Sequence, residues 1–122
     1  MNSIAAPSVS IVIPSWNGRL LLEEMFPSLL SATKEFTDQT GGLWEVIVVD
    51  DGSVDDTIPW IETIPEKRVK LITRRRKSGF ALACNLGFTA CRYDTIILLN
   101  NDVTVDQGFI LALLPHFQDS RV

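Results

Sequence analysis

The sequence predicts an α/β fold built on a doubly wound, mostly parallel sheet. Four short apolar runs alternate with segments of helical periodicity, which gives the order β-α-β-α-β-α-β-α. The second and fourth runs lack alternation between apolar and polar residues, as is typical of strands buried on both faces. Right-handed crossovers then place helices on both faces of one sheet.

The first half of the chain contains two predicted strands and one long helical segment. Residues 9–13 and 46–49 are short aliphatic runs and are predicted to be strands. Residues 20–33 carry apolar side chains at a period near 3.6. Pro27 interrupts that pattern, so we expect a kink or a split there. Residues 35–42 are predicted to be a polar loop.

The second helix and the third strand follow. Ser53 and Asp56 resemble a capping box at the start of the helix, and residues 69–72 are the third apolar run. Ser78 is then expected to cap a third helix. One face of that helix carries residues spaced i, i+4, i+7 and i+11, namely Phe80, Cys84, Gly87 and Cys91.

The last predicted strand is 96–99, and a fourth helix follows it. Thr104 and Gln107 have the spacing of a second capping box, and Pro115 marks the expected end of the helix.

Composition fits one globular domain. Of the 122 residues, 46% are hydrophobic and 21% are charged, close to ordinary globular usage. The longest apolar run, residues 109–114, has six residues, whereas a bilayer-spanning helix needs about 20. Residues 1–7 lack the basic start of a secretory signal.

Cys84 and Cys91 would lie about 10 Å apart on one helix, too far for a disulfide. We therefore expect a reducing, cytoplasmic location.

Charge is unevenly distributed along the chain. The net charge is −4, yet seven of the eleven Lys and Arg residues lie between Lys67 and Lys77. A chain of negative net charge is not expected to bind nucleic acid. The local basic segment is suited to a phosphate-bearing partner, although a solvated loop has the same composition.

Ligands of doubly wound sheets bind at the carboxyl ends of the strands, where strand order reverses. The residues directly after each strand are therefore the candidate site residues. They are Pro14, Ser15, Trp16 and Asn17 after the first strand, Asp50 and Asp51 after the second, Lys77 and Gly79 after the third, and Asn100, Asn101 and Asp102 after the fourth.

These residue types suit a nucleotide, although each also has a structural explanation. Asp51 would accept hydrogen bonds from ribose hydroxyls or a base N–H, whereas paired acids also favour a helix N-terminus. Asp102 with a neighbouring amide oxygen suits Mg²⁺ or Mn²⁺, whereas Asn-Asn-Asp is also a turn sequence. The helix start at Gly79 suits an anion. Trp16 is suited to stacking on a base or to packing under the first helix.

Four motifs in this order closely resemble the nucleotide-sugar-binding half of family 2 glycosyltransferases, which have the GT-A fold. They are Val9-Ser-Ile-Val-Ile-Pro-Ser-Trp-Asn17, Glu45-Val-Ile-Val-Val-Asp-Asp-Gly-Ser53, Gly79-Phe-Ala-Leu-Ala-Cys-Asn-Leu-Gly87 and Ile97-Leu-Leu-Asn-Asn-Asp102. The resemblance covers residues 8 to about 117, and its style is similar to that of rhamnosyltransferase-like members.

The resemblance implies a strand order of 3-2-1-4, with the donor between strands 1 and 4. Pro14, Trp16 and Asp51 would hold the base and ribose. Asn100-Asn101-Asp102 would replace the family's Asp-x-Asp, with Asp102 as the metal ligand and Asn100 as a possible second one. The third motif adds Gly79 and Asn85 to the nucleotide-binding set. Lys77 stands where many relatives have Asn, and Cys84 where many have Arg.

The implied reaction is inverting transfer of a sugar from a UDP-, dTDP- or GDP-sugar to a saccharide, lipid or protein acceptor. A divalent cation would assist the leaving diphosphate. The general base would lie beyond Val122, so we assign no catalytic residue in this chain. We expect residues 1–122 to be the donor-binding half of a longer enzyme, at the cytoplasmic face of a membrane. An open edge at the fourth strand predicts self-association.

Other functions remain as alternatives. The chain would be a non-catalytic nucleotide-binding module if it worked without an acceptor half. A receiver domain places its paired aspartates after the first strand, whereas here they follow the second. A dinucleotide-binding oxidoreductase needs a G-x-G-x-x-G motif after the first strand, and a sugar nucleotidyltransferase needs a Gly-rich basic loop there. The sequence has neither.

Overall fold

A computed structural model describes residues 6–118, with side chains up to residue 115. Strands and helices alternate along the chain. They are β1 (Ser8–Ser15), α1 (Arg19–Thr40), β2 (Leu43–Asp50), α2 (Thr57–Glu62), β3 (Val69–Thr73), α3 (Phe80–Ala90), β4 (Thr95–Leu98) and α4 (Phe109–Gln118). The described strands form one parallel sheet in the order β3-β2-β1-β4. The predicted fold class and strand order are thereby confirmed.

The two central strands are buried on both faces, which explains their continuous apolar sequences. Ile11, Ile13, Val46 and Val48 belong to a core shared with α1, α2 and α4. Their neighbours along each strand point to the other face, where a second core lies under α3; its buried members are Val12, Ile47, Val49 and Ala83. Helices therefore cover both faces, as doubly wound topology requires.

α1 is longer and more regular than the sequence predicted. It runs through Pro27 and on to Thr40, so the expected split and the polar loop at 35–42 are both wrong. Pro27 is exposed, so the carbonyl group that loses its helical partner there faces solvent. The polar end is stabilised by an i,i+4 pair of Lys34 with Asp38 and by the fully buried Phe36. Gly41 ends the helix in the left-handed conformation, with φ of 69°.

The predicted capping residues do not cap the shorter helices. α2 begins at Thr57 rather than near Ser53, and α4 begins at Phe109 rather than after Thr104. α4 also continues past Pro115. The Ser53 hydroxyl donates to the Asp50 carboxylate instead of accepting an N–H from the first turn of a helix. Short side-chain motifs resemble caps whenever a tight loop uses the same hydrogen bonds.

α3 packs very close to the sheet. Its buried residues are Ala83, Cys84 and Gly87, whereas Phe80 is 59% exposed and Cys91 follows the helix. The predicted face is therefore wrong at its two ends and right at its centre. A Cβ atom on Gly87 would lie 2.4 Å from Cγ1 of Val12, so the absence of a side chain permits this approach. Burial raises the pKa of both thiols, which are free.

Glu45 stabilises the edge of the sheet at which the parallel strands begin. The sequence did not predict this role. Glu45 is 2% exposed and accepts hydrogen bonds from the Ser10 hydroxyl (2.6 Å), the Lys70 ammonium (2.7 Å) and the Arg92 N–H (2.5 Å). Burial acts to raise the pKa of Glu45, but these bonds and the Lys70 charge bring it below its ordinary value. One carboxylate thus joins β1, β3 and the α3–β4 loop.

Among the described helices, none is long and apolar enough to cross a bilayer.

Replacing Gly87 with Ala should destabilise the fold. The new methyl group would have to displace Val12, at a cost of about 1–3 kcal/mol, which exceeds the gain of up to about 1 kcal/mol in helix propensity. Urea unfolding measures the difference. Gly108→Ala is the matched control, because nothing lies within 4 Å of a Cβ atom there. A Gly87→Ala variant as stable as the wild type would contradict the close packing of α3.

Candidate functional site

A cavity of about 320 Å³ opens at the carboxyl edge of the sheet, next to the ends of β1, β2 and β4. Strand order reverses between β1 and β4, and such a reversal leaves a crevice where the connecting helices diverge. The residues that line the cavity are Pro14, Ser15, Trp16, Asp51, Lys77, Phe80, Ala83, Asn100, Asn101 and Asp102.

Eight of the twelve predicted site residues line this cavity. They come from four separate stretches of sequence, and the parallel sheet brings them to one edge. Phe80 and Ala83 were missed, because the sequence pattern grouped Phe80 with one face of α3 and assigned a ligand to neither residue. Phe80 directly follows Gly79 at the start of the helix, and this position was the sequence signal that pointed to the cavity.

The other four predicted residues do not line the cavity. Asp50 is fully buried and accepts a hydrogen bond from the Ser53 N–H at 3.0 Å. Asn17, with φ of 48°, accepts from the Val54 N–H at 2.8 Å, so both residues shape the β2–α2 loop. Asn85 is exposed on α3. The Gly79 N–H donates to Asp51, which itself lines the cavity.

Asp51 fixes the residues between β3 and α3, which we call the basic loop (residues 74–79). Its carboxylate is 5% exposed. It accepts from the Ser78 hydroxyl at 2.7 Å, from the Ser78 N–H at 2.9 Å and from the Gly79 N–H at 2.8 Å. Ser78 therefore bonds to Asp51 instead of capping α3, and Gly79 takes the cap position with φ of 103°.

The electrostatics of Asp51 follow from these contacts. Burial acts to raise the pKa of Asp51, but the Ser78 hydroxyl, the two N–H groups and the Arg74 guanidinium outweigh it and bring the pKa below its ordinary value. The Arg74 Nε lies 3.8 Å from the nearer carboxylate oxygen. Asp51 is therefore charged at neutral pH and balances part of the positive charge of the basic loop.

The residue after Asp51 also holds the basic loop. Gly52 has φ of 87°, and a Cβ atom there would lie 2.7 Å from the backbone N of Lys77. Only glycine combines this conformation with so close a backbone approach. Asp51 and Gly52 together place the start of the Lys77 side chain at the mouth of the cavity.

Lys77 and Trp16 meet inside the cavity. The Lys77 ammonium lies 3.7 Å from the centroid of the Trp16 ring, within the range of a cation–π contact. Trp16 is 45% exposed, so it is part of the cavity wall and does not pack under α1.

The Asn-Asn-Asp segment after β4 divides into a structural residue and two exposed ones. The Asn101 amide donates to the Ser15 hydroxyl at 3.0 Å. A Cβ atom on Gly18 would lie 2.5 Å from that amide, so glycine leaves room for the link. Asn100 and Asp102 are exposed at the rim and are available to a ligand.

The donor set at this rim fits a cation that is shared with a phosphate. Within the described residues, no group of three or more His, Cys, Asp or Glu side chains could hold a metal ion. Asp102 is the one carboxylate at the rim, with the Asn100 amide oxygen two residues before it. Mg²⁺ and Mn²⁺ are commonly held by one or two carboxylates, with substrate phosphates and waters completing the shell.

Comparison with known proteins gives a family and related folds. The sequence model described as Glycosyl transferase family 2 matches residues 10–122. An undecaprenyl-phosphate 4-deoxy-4-formamido-L-arabinose transferase from Shewanella sediminis is 38% identical over 98 residues, which is 78% of this chain and 28% of that protein. The uncharacterized glycosyltransferase YkcC from Bacillus subtilis is 29% identical over 90% of this chain and 33% of its own length.

Two solved structures share the fold. The mannosyltransferase PcManGT from Pyrobaculum calidifontis, in complex with GDP-Man and Mn²⁺, has a TM-score of 0.77 at 24% identity, covering 97% of this chain and 34% of that one. S. aureus TarS 1-349 in complex with UDP-GlcNAc has a TM-score of 0.74 at 20% identity, covering 89% and 30%. The chain spans about a third of the length of these relatives.

Asp51→Asn should release the basic loop. An amide has one acceptor oxygen, and its NH₂ group faces donors, so we expect a loss of about 1–3 kcal/mol. Hydrogen exchange at the Ser78 and Gly79 amides should become faster. Because the folded pKa is lowered, the stabilisation is complete above the ordinary carboxyl pKa and is lost as the pH falls through the lowered value. The difference between wild type and variant should therefore shrink in acid.

The control for this experiment is Asp94→Asn, which makes the same chemical change at an exposed site. It should leave both amides and the unfolding free energy unchanged. Equal exchange rates in wild type and Asp51→Asn would show that Asp51 does not hold the loop.

Proposed function

This chain belongs to glycosyl transferase family 2, and from that membership we propose that it binds the donor of an enzyme that transfers a sugar from a nucleoside diphosphate to an acceptor. One observation carries the proposal. The cavity at the strand-order reversal combines an exposed indole, an ammonium group and a rim carboxylate, which match the base, the diphosphate and a divalent cation. GDP-Man and Mn²⁺ in PcManGT, and UDP-GlcNAc in TarS, give the proposal further support.

The base and ribose would lie against Trp16, Pro14 and Asp51. Aromatic rings stack on any base. A carboxylate offers roughly four lone-pair sites, and three donor groups make four hydrogen bonds to Asp51, because the Ser78 N–H is shared between both oxygens. A ribose hydroxyl would take the place of one of these two shared contacts. Asp51 would thus serve the loop and the ligand together.

The diphosphate would lie between Lys77 and Asp102. Asp102, with Asn100 as a second oxygen ligand, would hold Mg²⁺ or Mn²⁺. Such a cation stabilises negative charge on a leaving diphosphate. The Lys77 ammonium, which also lines the cavity, would add positive charge there. Transfer with inversion needs a general base beside the acceptor, and we assign that role to no residue of this chain.

A second function is binding without transfer. The cavity alone would support this function, because donor binding needs no general base and we assign none to this chain. The expected location, in the cytoplasm and at a membrane face, stays a prediction.

The donor site predicts metal-assisted nucleotide binding. At least one of UDP, dTDP and GDP should bind in calorimetry, and more tightly with Mn²⁺ than without it. Asp102→Ala should remove the gain from Mn²⁺ and leave metal-free binding intact, because the carboxylate touches the nucleotide only through the metal. Asp106→Ala, an exposed acid four residues away, should retain the full gain.

Two results would count against this assignment. An unchanged gain from Mn²⁺ in Asp102→Ala would move the metal to other ligands. The absence of binding by all three nucleotides would remove the donor site itself.

We also propose self-association through β4. In the described part of the chain, β4 pairs with β1 along one edge only, and unpaired edges attract strands of other chains. Light scattering should show dimers or larger species at high concentration. Leu98→Lys, at a half-exposed position on β4, should shift the chain towards monomer, whereas Leu20→Lys on α1 should not. A wild-type chain that stays monomeric would refute the proposal.

A further inference from the structure

We propose that Lys77 occupies the face of Trp16 on which a nucleotide base would stack, so that a base binds only by displacing the ammonium. The same ammonium then stays in the cavity and meets the diphosphate. Lys77 would thus oppose a bare nucleoside and favour a nucleoside diphosphate. The inference rests on the proposed donor site and assigns to this residue the discrimination between charged and uncharged ligands.

The contact lies where a ligand must enter. Trp16 and Lys77 both line the cavity, and the ammonium lies 3.7 Å from the ring centroid. At that distance it covers the ring face and leaves no space for a stacked base, which would need about the same separation. Base and ammonium therefore exclude each other on this face.

Lys77 differs from the other cations that approach a tryptophan. Arg19 lies 5.4 Å from the Trp60 ring and also pairs with Glu23 and Asp56. Within the residues that the structure describes, no carboxylate forms an ion pair with Lys77. Its ammonium is therefore held by the indole alone among charged or aromatic partners, and a ligand that offers a phosphate provides a stronger one.

The backbone of Lys77 is fixed while its side chain is free to move. Gly52 packs against its backbone N, and Ser78 and Gly79 next to it bond to Asp51. Four methylene groups separate the ammonium from this anchored point. The ammonium can therefore leave the indole by rotation of the side chain, without movement of the basic loop.

The proposal predicts effects of opposite sign for one substitution. In Lys77→Ala, uridine, thymidine or guanosine should bind about two- to fivefold more tightly, the range set by the strength of an exposed cation–π contact. The corresponding diphosphate should bind several-fold more weakly, because a charge partner is lost. Calorimetry without metal measures both. Arg75→Ala, an exposed cation of the same loop that does not line the cavity, should change neither affinity.

A second measurement tests the contact without any nucleotide. Acrylamide quenching of tryptophan fluorescence should increase in Lys77→Ala, because the ring face is uncovered. The increase should vanish in a Trp16→Phe background, which assigns it to Trp16 rather than to Trp44 or Trp60.

The outcomes separate this inference from the donor site. If diphosphates bind the wild type and Lys77→Ala weakens nucleoside and diphosphate alike, the competition is refuted while the donor site stands. Unchanged quenching would refute the contact itself. If no nucleotide binds although quenching increases, the contact stands, and the donor site and the competition both fail.

Discussion

The site depends on the buried carboxylate of Asp51. It lies at the end of a central strand, where the chain must turn, and it accepts hydrogen bonds from three donor groups of the basic loop, 27 and 28 residues further along the sequence. An acid with so little exposure is stable only when its charge is bonded on several sides. The basic loop donates those hydrogen bonds, and the same bonds fix the conformation of the loop. The start of α3 and the backbone of Lys77 are positioned by the same contact.

The adjacent Asp50 also connects loops at this edge of the sheet, but it does so towards β1. Asp50 bonds to Ser53, whose hydroxyl oxygen accepts the Asn17 N–H at 2.7 Å. Two adjacent aspartates therefore tie the loops after β1, β2 and β3 into one frame. The segment after β4 is different, because only Asn101 bonds into that frame. Asn100 and Asp102 stay exposed, and in the proposed function this exposed side would bind the phosphates and the metal while the hydrogen-bonded side binds the base.

Much of this could be predicted from the sequence, because the relevant signals are local. Buried parallel strands have short aliphatic runs, and a parallel sheet brings their ends together, so Trp16, Asp51 and Asp102 could be placed in one cavity. The role of Asp51 as a loop anchor could not be predicted, since it depends on donors distant in sequence. Ser53 was assigned to a helix cap for the same reason: its partner, Asp50, offers a hydrogen bond that the capping pattern does not reveal. Phe80 was grouped with Cys84 and Gly87 on one helix face because helical spacing does not show where the first turn leaves the sheet.

The seven cations between residues 67 and 77 are clustered in the sequence but have different roles in the structure. Lys70 pairs with the buried Glu45, and Arg74 lies beside Asp51, so these two charges stabilise the fold. Arg68 lies over the Trp44 ring at 5.3 Å. Of the seven cations between 67 and 77, Lys77 is the one that lines the cavity. A count of charges would treat the segment as a single phosphate-binding surface. Besides Lys77, three of the seven cations contact a buried acid or an aromatic ring in the structure, and three more, Lys67, Arg75 and Arg76, do not line the cavity, which leaves the Lys77 ammonium to act on a ligand there.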